Sequence, residues 1–354
     1  MPIGATGRAS LLLAIAPILV FRGTAKAQEA TARSGTRIVI DASRSVPGDE
    51  SNSRSSLTAV ASVAIGPRRS LYVADNRSHV LYAFDSLGRP IASTRLSGSD
   101  GVVAVHVSAM DVDARSRVYV FDAAAGRVLQ FVRSGPTLSL RRSVIVRVHA
   151  NSMCVLDGDM YFLGLDNDNT VHEYNENGQL VRSFGTPDSV PTPLEEHALL
   201  SGGRIVCLPH DKMVVVGVSL MPTLRAFTAA GVERWAYTIP DFHRAPVRVF
   251  PDGSITYSIH GATIDLVGSL IDLGGRALGV QVMRGGRQDQ RSHRPWSLET
   301  VLLSTTSGGR IGLADSLQPI TTAADGKLIV VDNTKSPQIT VLSYHLATDV
   351  HDDQ

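Results

Sequence analysis

An aromatic residue followed four positions later by glycine recurs along the sequence, and this repeat most limits how the chain can fold. The copies read FDSLG, FVRSG, YNENG and FTAAG; they begin at Phe84, Phe131, Tyr174 and Phe227, which are 47, 43 and 53 residues apart. A short run rich in β-branched and aromatic residues precedes each copy: LYVAD, VYVFD, MYFLG and MVVVG. Short runs of this composition, bounded by Gly, Asp and Asn, predict strands joined by tight turns.

Each repeat predicts a unit of four short antiparallel strands. Units of this kind, recurring every 40 to 50 residues, are typical of β-propellers. One small sheet has two apolar faces, so the units must stack around a ring to bury both of them. We therefore predict an all-β fold, a six-bladed β-propeller, as a single domain over residues 28–354.

The two ends of the chain are predicted to meet in the last blade. The run TRIVI at 36–40 is a strand ahead of the first full unit, whereas the last unit, which contains LIVVD at 328–332, supplies three strands. Pairing of the N-terminal strand into the last blade closes the ring and removes an open sheet edge. The polar, serine-rich stretch at 41–57 is predicted to be a flexible linker.

The fifth unit is the least regular. Val249 is assigned to its first strand and ITYSI at 255–259 to its second, but the distance to LIVVD is too long for one blade. Two interpretations remain open. The preferred one is a loop insertion at 284–297, and the other is a degenerate seventh blade within 260–318.

Residues 60–91, VASVAIGPRRSLYVADNRSHVLYAFDSLGRPI, resemble an NHL-type repeat, as found in six-bladed propellers. The chain is also similar to bacterial exported six-bladed β-propeller proteins. The resemblance implies the fold rather than a reaction, because such propellers include protein-binding modules, sugar-lactone hydrolases and metal-dependent lyases.

The first 27 residues have the organisation of a secretory signal peptide. Arg8 supplies a positive charge, LLLAIAPILVF at 11–21 is apolar, and Ala25-Lys26-Ala27 offers a small-x-small cleavage site. An uncleaved anchor is the alternative, but the run is shorter than the roughly 20 residues that a spanning helix needs. We predict an exported protein, periplasmic or secreted, with no stable membrane span after signal cleavage.

The charge balance argues against nucleic acid as a partner. The chain has 34 basic and 33 acidic residues, a net charge of +1, and no block of like charge. Binding to a phosphate backbone requires a concentrated basic surface. We expect the partner to be a protein or a small molecule of unknown identity.

Candidate ligand-binding residues lie in loops that enter the innermost strands, at the predicted mouth of the axial channel. His106, His149 and His243 lie six, five and six residues before Val112, Cys154 and Val249, which occupy equivalent positions in three units. Three imidazoles can hold zinc with one open position, although separate polar loop residues are the preferred interpretation. Arg204 and Arg244, with Arg248 nearby, are candidates to present guanidinium groups to an anionic ligand.

Asp75, Asp122 and Asp332 end the second strand of three units, and Asn76 and Asn333 follow two of them. Carboxylates arranged in this way are compatible with calcium. The preferred interpretation is that each carboxylate caps a loop by hydrogen bonding to the backbone. No cofactor is predicted, and zinc and calcium are the divalent metals compatible with these residues.

Cys154 and Cys207 are the only cysteines, and they share one register in consecutive units. Export permits a disulfide. A bridge requires Cα atoms within about 7 Å, and we expect adjacent inner strands to be farther apart, which predicts two buried thiols.

The sequence thus predicts an exported binding module that recognises a protein or a small ligand at the channel mouth without catalysis. The alternative is a metal-dependent lactone hydrolase or lyase acting in the axial channel. No phosphate-binding loop, nucleophile elbow or zinc-protease helix motif occurs in the sequence.

Overall fold

The structure, a computed structural model, describes residues 35–46, 57–98, 100–104, 106–166, 168–190, 200, 202–249, 255–257, 263–285, 297–315, 317–333 and 337–348. Within these ranges the strands form six four-stranded antiparallel sheets and one two-stranded sheet. The prediction of an all-β, six-bladed propeller is confirmed. No helix in the described ranges is long and apolar enough to cross a membrane.

The blades follow one another along the chain. Blade 1 contains β2 (Val60–Gly66), β3 (Ser70–Asp75), β4 (Val80–Phe84) and β5 (Pro90–Arg95). Blade 2 contains β6 (Val107–Val112), β7 (Arg117–Asp122), β8 (Arg127–Ser134) and β9 (Thr137–Ile145). Blade 3 contains β10 (Ser152–Leu156), β11 (Asp159–Asp166), β12 (Asn169–Tyr174) and β13 (Leu180–Phe184).

The remaining blades include the closing strand. Blade 4 contains β14 (Gly203–Leu208), β15 (Met213–Val218), β16 (Thr223–Thr228) and β17 (Glu233–Thr238). A hairpin of β18 (Val247–Val249) and β19 (Ile255–Tyr257) precedes blade 5, which contains β20 (Ile264–Asp272), β21 (Ala277–Gly285), β22 (Ser297–Ser304) and β23 (Arg310–Asp315). Blade 6 contains β24 (Ile320–Ala324), β25 (Lys327–Asp332), β26 (Gln338–Thr348) and β1 (Thr36–Val46).

The first strands of the blades line the axis of the ring. Each first strand contacts the first strand of the next blade, in the cyclic order β2, β6, β10, β14, β20, β24 and back to β2. A separate cluster of buried apolar side chains fills each of the six seams between blades. Burial of both faces of every sheet is the main driving force for this arrangement, because apolar area removed from water stabilises in proportion to its extent.

The repeat seen in the sequence has a packing role. Its four aromatic residues lie in the third strands of blades 1 to 4 and are buried, and each packs into the seam with the preceding blade. The glycine four positions later adopts a left-handed backbone in all four copies, at Gly88, Gly135, Gly178 and Gly231. Glycine is the residue that adopts this conformation without a Cβ penalty, which explains its place in the turn to the fourth strand.

Polar side chains also cross every seam to reach the backbone of the neighbouring blade. The six bonds join Asn76 Oδ1 to Val107 N (3.1 Å), Asp111 Oδ2 to Val155 N (2.7 Å), Ser152 Oγ to Ile205 N (3.1 Å), Arg204 Nε to Gly268 O (2.6 Å), Gln281 Oε1 to Ile320 N (2.6 Å), and Asn333 Nδ2 to Val60 O (2.9 Å). These bonds satisfy backbone groups that a seam between two sheets would otherwise leave unpaired.

Strand β1 is the outermost strand of blade 6. It pairs antiparallel with β26 from Thr36 opposite Thr348 to Val46 opposite Ile339. The prediction of a linker at 41–57 is therefore wrong for residues 41–46, which belong to β1. An outermost strand has solvent on one side and tolerates polar residues, so its composition resembles that of a linker. The rest of that stretch up to residue 56, and the predicted signal peptide at 1–27, lie outside the described residues.

The assignment of the fifth blade is corrected. β14 contacts β20 directly, so the β18–β19 hairpin, which contains Val249 and the start of ITYSI, is an addition outside the ring. The region 260–318 contains the fifth blade itself and no seventh blade among its described residues. Arg284, Gly285 and Ser297 belong to strands, so the predicted insertion at 284–297 corresponds to the connection between β21 and β22. Blade 5 lacks the aromatic-glycine repeat, which is the signal that identifies blades 1 to 4.

The cysteine prediction is also corrected, because Cys154 and Cys207 form a disulfide. They lie on β10 and β14, first strands of adjacent blades, and their Cα atoms are 5.6 Å apart. This separation is within the range that a disulfide spans. First strands approach each other closely near the axis, closer than the sequence analysis assumed.

Removal of this cross-link is expected to lower stability. The cysteines are 53 residues apart, and a loop of that length corresponds to about 4 kcal/mol in the chain-entropy treatment. We predict that Cys154→Ala/Cys207→Ala unfolds at lower denaturant, and that reductant destabilises the natural protein but leaves this variant unchanged. Alkylation of two cysteines in unfolded, unreduced protein would contradict the bridge.

Candidate ligand-binding site at the channel mouth

The three candidate histidines lie at the same end of the ring, each beside the start of a first strand. His106 directly precedes β6, and His149 lies three residues before β10. His243 precedes the β18 hairpin, but its carbonyl oxygen accepts a hydrogen bond from Asp265 N at the start of β20 (2.8 Å). All three side chains are exposed.

His106 lies at blade 2, His149 at blade 3 and His243 beside blade 5, so the three do not lie in one cluster. Among the described residues, no group of three or more His, Cys, Asp or Glu side chains is arranged to hold a metal ion. The three imidazoles therefore do not form the trio that the zinc interpretation requires.

The aspartates that end the second strands act as loop caps in blades 1 and 2. The Asp75 carboxylate accepts hydrogen bonds from the backbone of Thr58, Ala59, Arg77 and Ser78. Burial alone would raise the pKa of Asp75, but these bonds hold it below its usual value. Asp122 accepts from His106 N and Ala125 N, both at 3.3 Å. The capping interpretation is confirmed for these two residues.

His243 is fixed in place by a buried carboxylate. Asp265 Oδ2 accepts hydrogen bonds from His243 N (2.8 Å) and Arg284 Nη1 (2.9 Å), and lies 3.1 Å from His243 Nδ1. Asp265 is only 1% exposed, whereas the His243 side chain is 56% exposed. With Nδ1 donating to Asp265, Nε2 presents a lone pair away from that carboxylate.

Arg284 holds the loop that carries His243. Its guanidinium contacts the carbonyl oxygens of Pro240 (3.1 Å) and Asp241 (3.3 Å) and forms ion pairs with Asp265 and Glu299. Burial by itself would lower the pKa of Arg284, but the bonds to the two carboxylates raise it above its usual value. Asp265 and Arg284 were not predicted, because they carry no sequence motif; they pair directly across β20 and β21.

Arg204 extends from β14 across the axis-lining surface to β20. Its Nε donates to Gly268 O (2.6 Å), and its side chain is exposed. Desolvation by the surrounding protein lowers the pKa of this guanidinium. The bond to Gly268 joins two first strands, which line the axis, so Arg204 lies at the channel. Within the described part of the chain, no carboxylate pairs with it.

Arg244 and Arg248 are less closely tied to the channel. Arg244 is exposed and lies next to His243, in the segment held by Arg284. Arg248 belongs to β18, which lies outside the ring. The structure thus places Arg204 at the channel itself and Arg244 beside it.

A further channel residue, Asp111 on β6, was not predicted. Its carboxylate accepts hydrogen bonds from Val112 N and Val155 N, both at 2.7 Å. Desolvation raises the pKa of Asp111 to about 6, with a smaller contribution from Asp113 and opposed by the two backbone bonds. The only sequence signal was an acidic residue within an otherwise apolar strand.

The comparisons with known proteins show the fold. No protein-family model matches the sequence, and a search of curated proteins gave no match. A DUF4221 protein from Bacteroides vulgatus ATCC 8482 is similar in structure, with TM-score 0.60, 9% identity, and coverage of 89% of this chain and 99% of that chain. A protein from Bacteroides fragilis NCTC 9343, inferred to be exported, has TM-score 0.58, 12% identity and coverage of 91% and 98%.

More distant propellers include enzymes. Virginiamycin B lyase from Staphylococcus aureus has TM-score 0.48, 9% identity, and coverage of 87% of this chain and 99% of that chain. The structural similarity to the two Bacteroides proteins supports the fold. Sequence identities this low carry no information on the residues of the site.

The raised pKa of Asp111 predicts a pH-dependent loss of stability. A carboxyl whose pKa is about 6 in the folded protein and about 3.9 in the unfolded chain favours folding at low pH, and that contribution disappears as pH rises through 6. We predict that, between pH 4 and pH 7, the free energy of unfolding of the natural protein falls by up to about 3 kcal/mol relative to that of Asp111→Asn.

Urea unfolding at each pH measures this difference. Asp168→Asn is the control, because Asp168 is exposed and its left-handed backbone suits asparagine. A difference between Asp111→Asn and the natural protein that does not vary with pH would contradict the assignment.

Proposed function

We propose that this protein is an exported binding module that holds a carboxylate-bearing ligand at the channel mouth, with Arg204 as the anchoring residue and without catalysis. The observation that carries the proposal is the position of the exposed Arg204 guanidinium, which reaches from one axis-lining strand to Gly268 O on the next (2.6 Å) and has no carboxylate partner among the described residues. A guanidinium without a counter-ion in the protein can form charge-assisted hydrogen bonds with an anion, which are stronger than those between neutral groups. An anionic ligand supplies the missing partner.

The free donors of Arg204 suit a carboxylate. Its Nε is engaged with Gly268 O, which leaves the two Nη groups to form the parallel hydrogen bonds that guanidinium makes with a carboxylate. The ring holds Arg204 rigidly, because β14 is bonded to β20 through this side chain and to β10 through the disulfide. A preorganised donor loses less entropy on binding than a mobile one.

The exposed loops around the mouth supply the further contacts of the proposed ligand. His106, His149, His243 and Arg244 are exposed at the same end of the ring and offer hydrogen-bond donors and acceptors. Loops on a rigid scaffold are the usual location of binding residues. The proposal includes two further points. The protein is exported to the periplasm or the medium, and its repeats are of the NHL type.

A second candidate is a hydrolase or lyase acting in the channel, with or without a divalent metal. The contact between His243 Nδ1 and buried Asp265 favours it, since a carboxylate that orients imidazole is a recurring arrangement in acid–base catalysis. A stoichiometric metal in the purified protein, whose removal by chelator abolishes ligand binding, would favour the metal-dependent form.

The binding proposal is tested with paired probes, each a small carboxylic acid and its uncharged amide. We expect at least one acid, from a set that includes hydroxy acids and dipeptides with a free C-terminus, to bind the natural protein ten- to a hundredfold more tightly than its amide. A charge-assisted hydrogen bond contributes about 1.5–3 kcal/mol. Arg204→Gln is expected to bind acid and amide equally.

Arg234→Gln is the matched control, because Arg234 is exposed on β17, the outermost strand of the same blade. It removes the same charge and should preserve the preference for the acid. A preference that survives in Arg204→Gln, or the absence of any preference in the natural protein, would refute the proposal.

A further inference from the structure

A groove crosses the seam between blades 6 and 1 on the face opposite the channel mouth. Its volume is about 560 Å³, and its walls include Arg44 on β1, Lys327 on β25, and Arg68 and Arg69 in the turn between β2 and β3. The turn between β4 and β5 completes one side and contributes Leu87. Hairpin turns between first and second strands lie at the end of the ring opposite the loops that carry the histidines.

The groove gathers four cationic side chains and one carboxylate, Asp325. Within the described part of the chain, Arg44, Arg68 and Arg69 form no ion pair with a carboxylate. Desolvation lowers the pKa of Lys327, and repulsion from Arg69 and Arg44 lowers it further, although Asp41 opposes this. The groove thus carries a net positive charge.

The backbone holds two of these cations in an uncommon conformation. Arg68 and Arg69 both have φ of 60°, in the left-handed region. Non-glycine residues rarely adopt this region, and two in succession carry a conformational cost. Glycine adopts this backbone conformation at lower cost, so the two arginines bring their charges to the groove at the expense of backbone strain.

We propose that this groove is a binding site for a phosphate group, distinct from the carboxylate site at the channel mouth. Phosphate carries up to two negative charges and several acceptor oxygens, and the guanidinium fork matches its geometry. The 560 Å³ volume exceeds that of a lone phosphate and accommodates a phosphate with its organic substituent. Leu87, which is 61% exposed at the rim, offers an apolar contact for that substituent.

Two sources of a phosphate group are distinguished by two probes. The soluble probe is glycerol 1-phosphate, titrated calorimetrically at constant ionic strength. The membrane probe is a phosphatidylglycerol vesicle, compared with a phosphatidylcholine vesicle of equal size by cosedimentation. Saturable binding of glycerol 1-phosphate indicates a soluble ligand, and binding to phosphatidylglycerol vesicles alone indicates a lipid headgroup.

The test variant is Arg68→Gly/Arg69→Gly, which removes both guanidinium groups and suits the left-handed backbone. We expect it to weaken phosphate binding at least tenfold, and to raise Tm in phosphate-free, low-salt buffer because strain and repulsion are relieved. Lys327→Met is a second variant outside the turn and should also weaken binding at least tenfold.

Arg115→Ala is the matched control, because Arg115 is exposed in the equivalent turn between β6 and β7 of blade 2. It should change the affinity for the phosphate probe less than twofold. Arg204→Gln should also change it less than twofold, which distinguishes this site from the one at the channel mouth. The proposal is overturned if neither phosphate probe binds the natural protein, or if the Arg68→Gly/Arg69→Gly variant binds as tightly as Arg115→Ala.

Discussion

The burial of two apolar faces on every four-stranded sheet is the constraint on which this structure depends. A single blade leaves both faces in water, and only a closed ring gives each face a neighbour. The six apolar clusters, one at each seam, show that this is how the faces are covered. Strand β1 matters for the same reason, because its pairing with β26 supplies the outermost strand of blade 6.

Polar interactions then fix the register of the ring. Asn76 and Asn333 occupy equivalent positions after the second strand, and both bond the first strand of the next blade. Asn76 Oδ1 accepts from Val107 N, whereas Asn333 Nδ2 donates to Val60 O. At the other seams the chain uses Asp, Ser, Arg and Gln for the same purpose. Arg204 and Asp111 therefore have two roles, since each bonds a neighbouring blade and also presents charge to the channel.

Much of the fold could be predicted because the residues of the sequence repeat have fixed packing roles in the blades. The aromatic residue enters a seam and the glycine makes a left-handed turn, so both recur in blades 1 to 4. Blade 5 lacks that pair, and its boundaries were predicted wrongly. The polar outer strand ending at Val46 and the close approach of Cys154 to Cys207 depend on tertiary geometry that one sequence does not contain.

The site was predictable only in outline. Arg204 was identified because it lies at the start of a first strand, which fixes the end of the ring but not its partners. His243 was identified from its distance to Val249, which lies on the added hairpin, although the loop of His243 does lie beside β20. Asp265 and Arg284, which orient His243, pair directly across the β20–β21 hairpin. The basic groove combines residues from β1, β25 and a turn of blade 1, and these become neighbours only after the ring has closed.

Hydrogen exchange of β1 tests ring closure most directly. If residues 36–46 complete blade 6, their amides that bond to β26 should exchange as slowly as those between β24 and β25, through the same opening event. Exchange of β1 at the rate of an unstructured peptide, while β24 to β26 stay protected, would contradict the account.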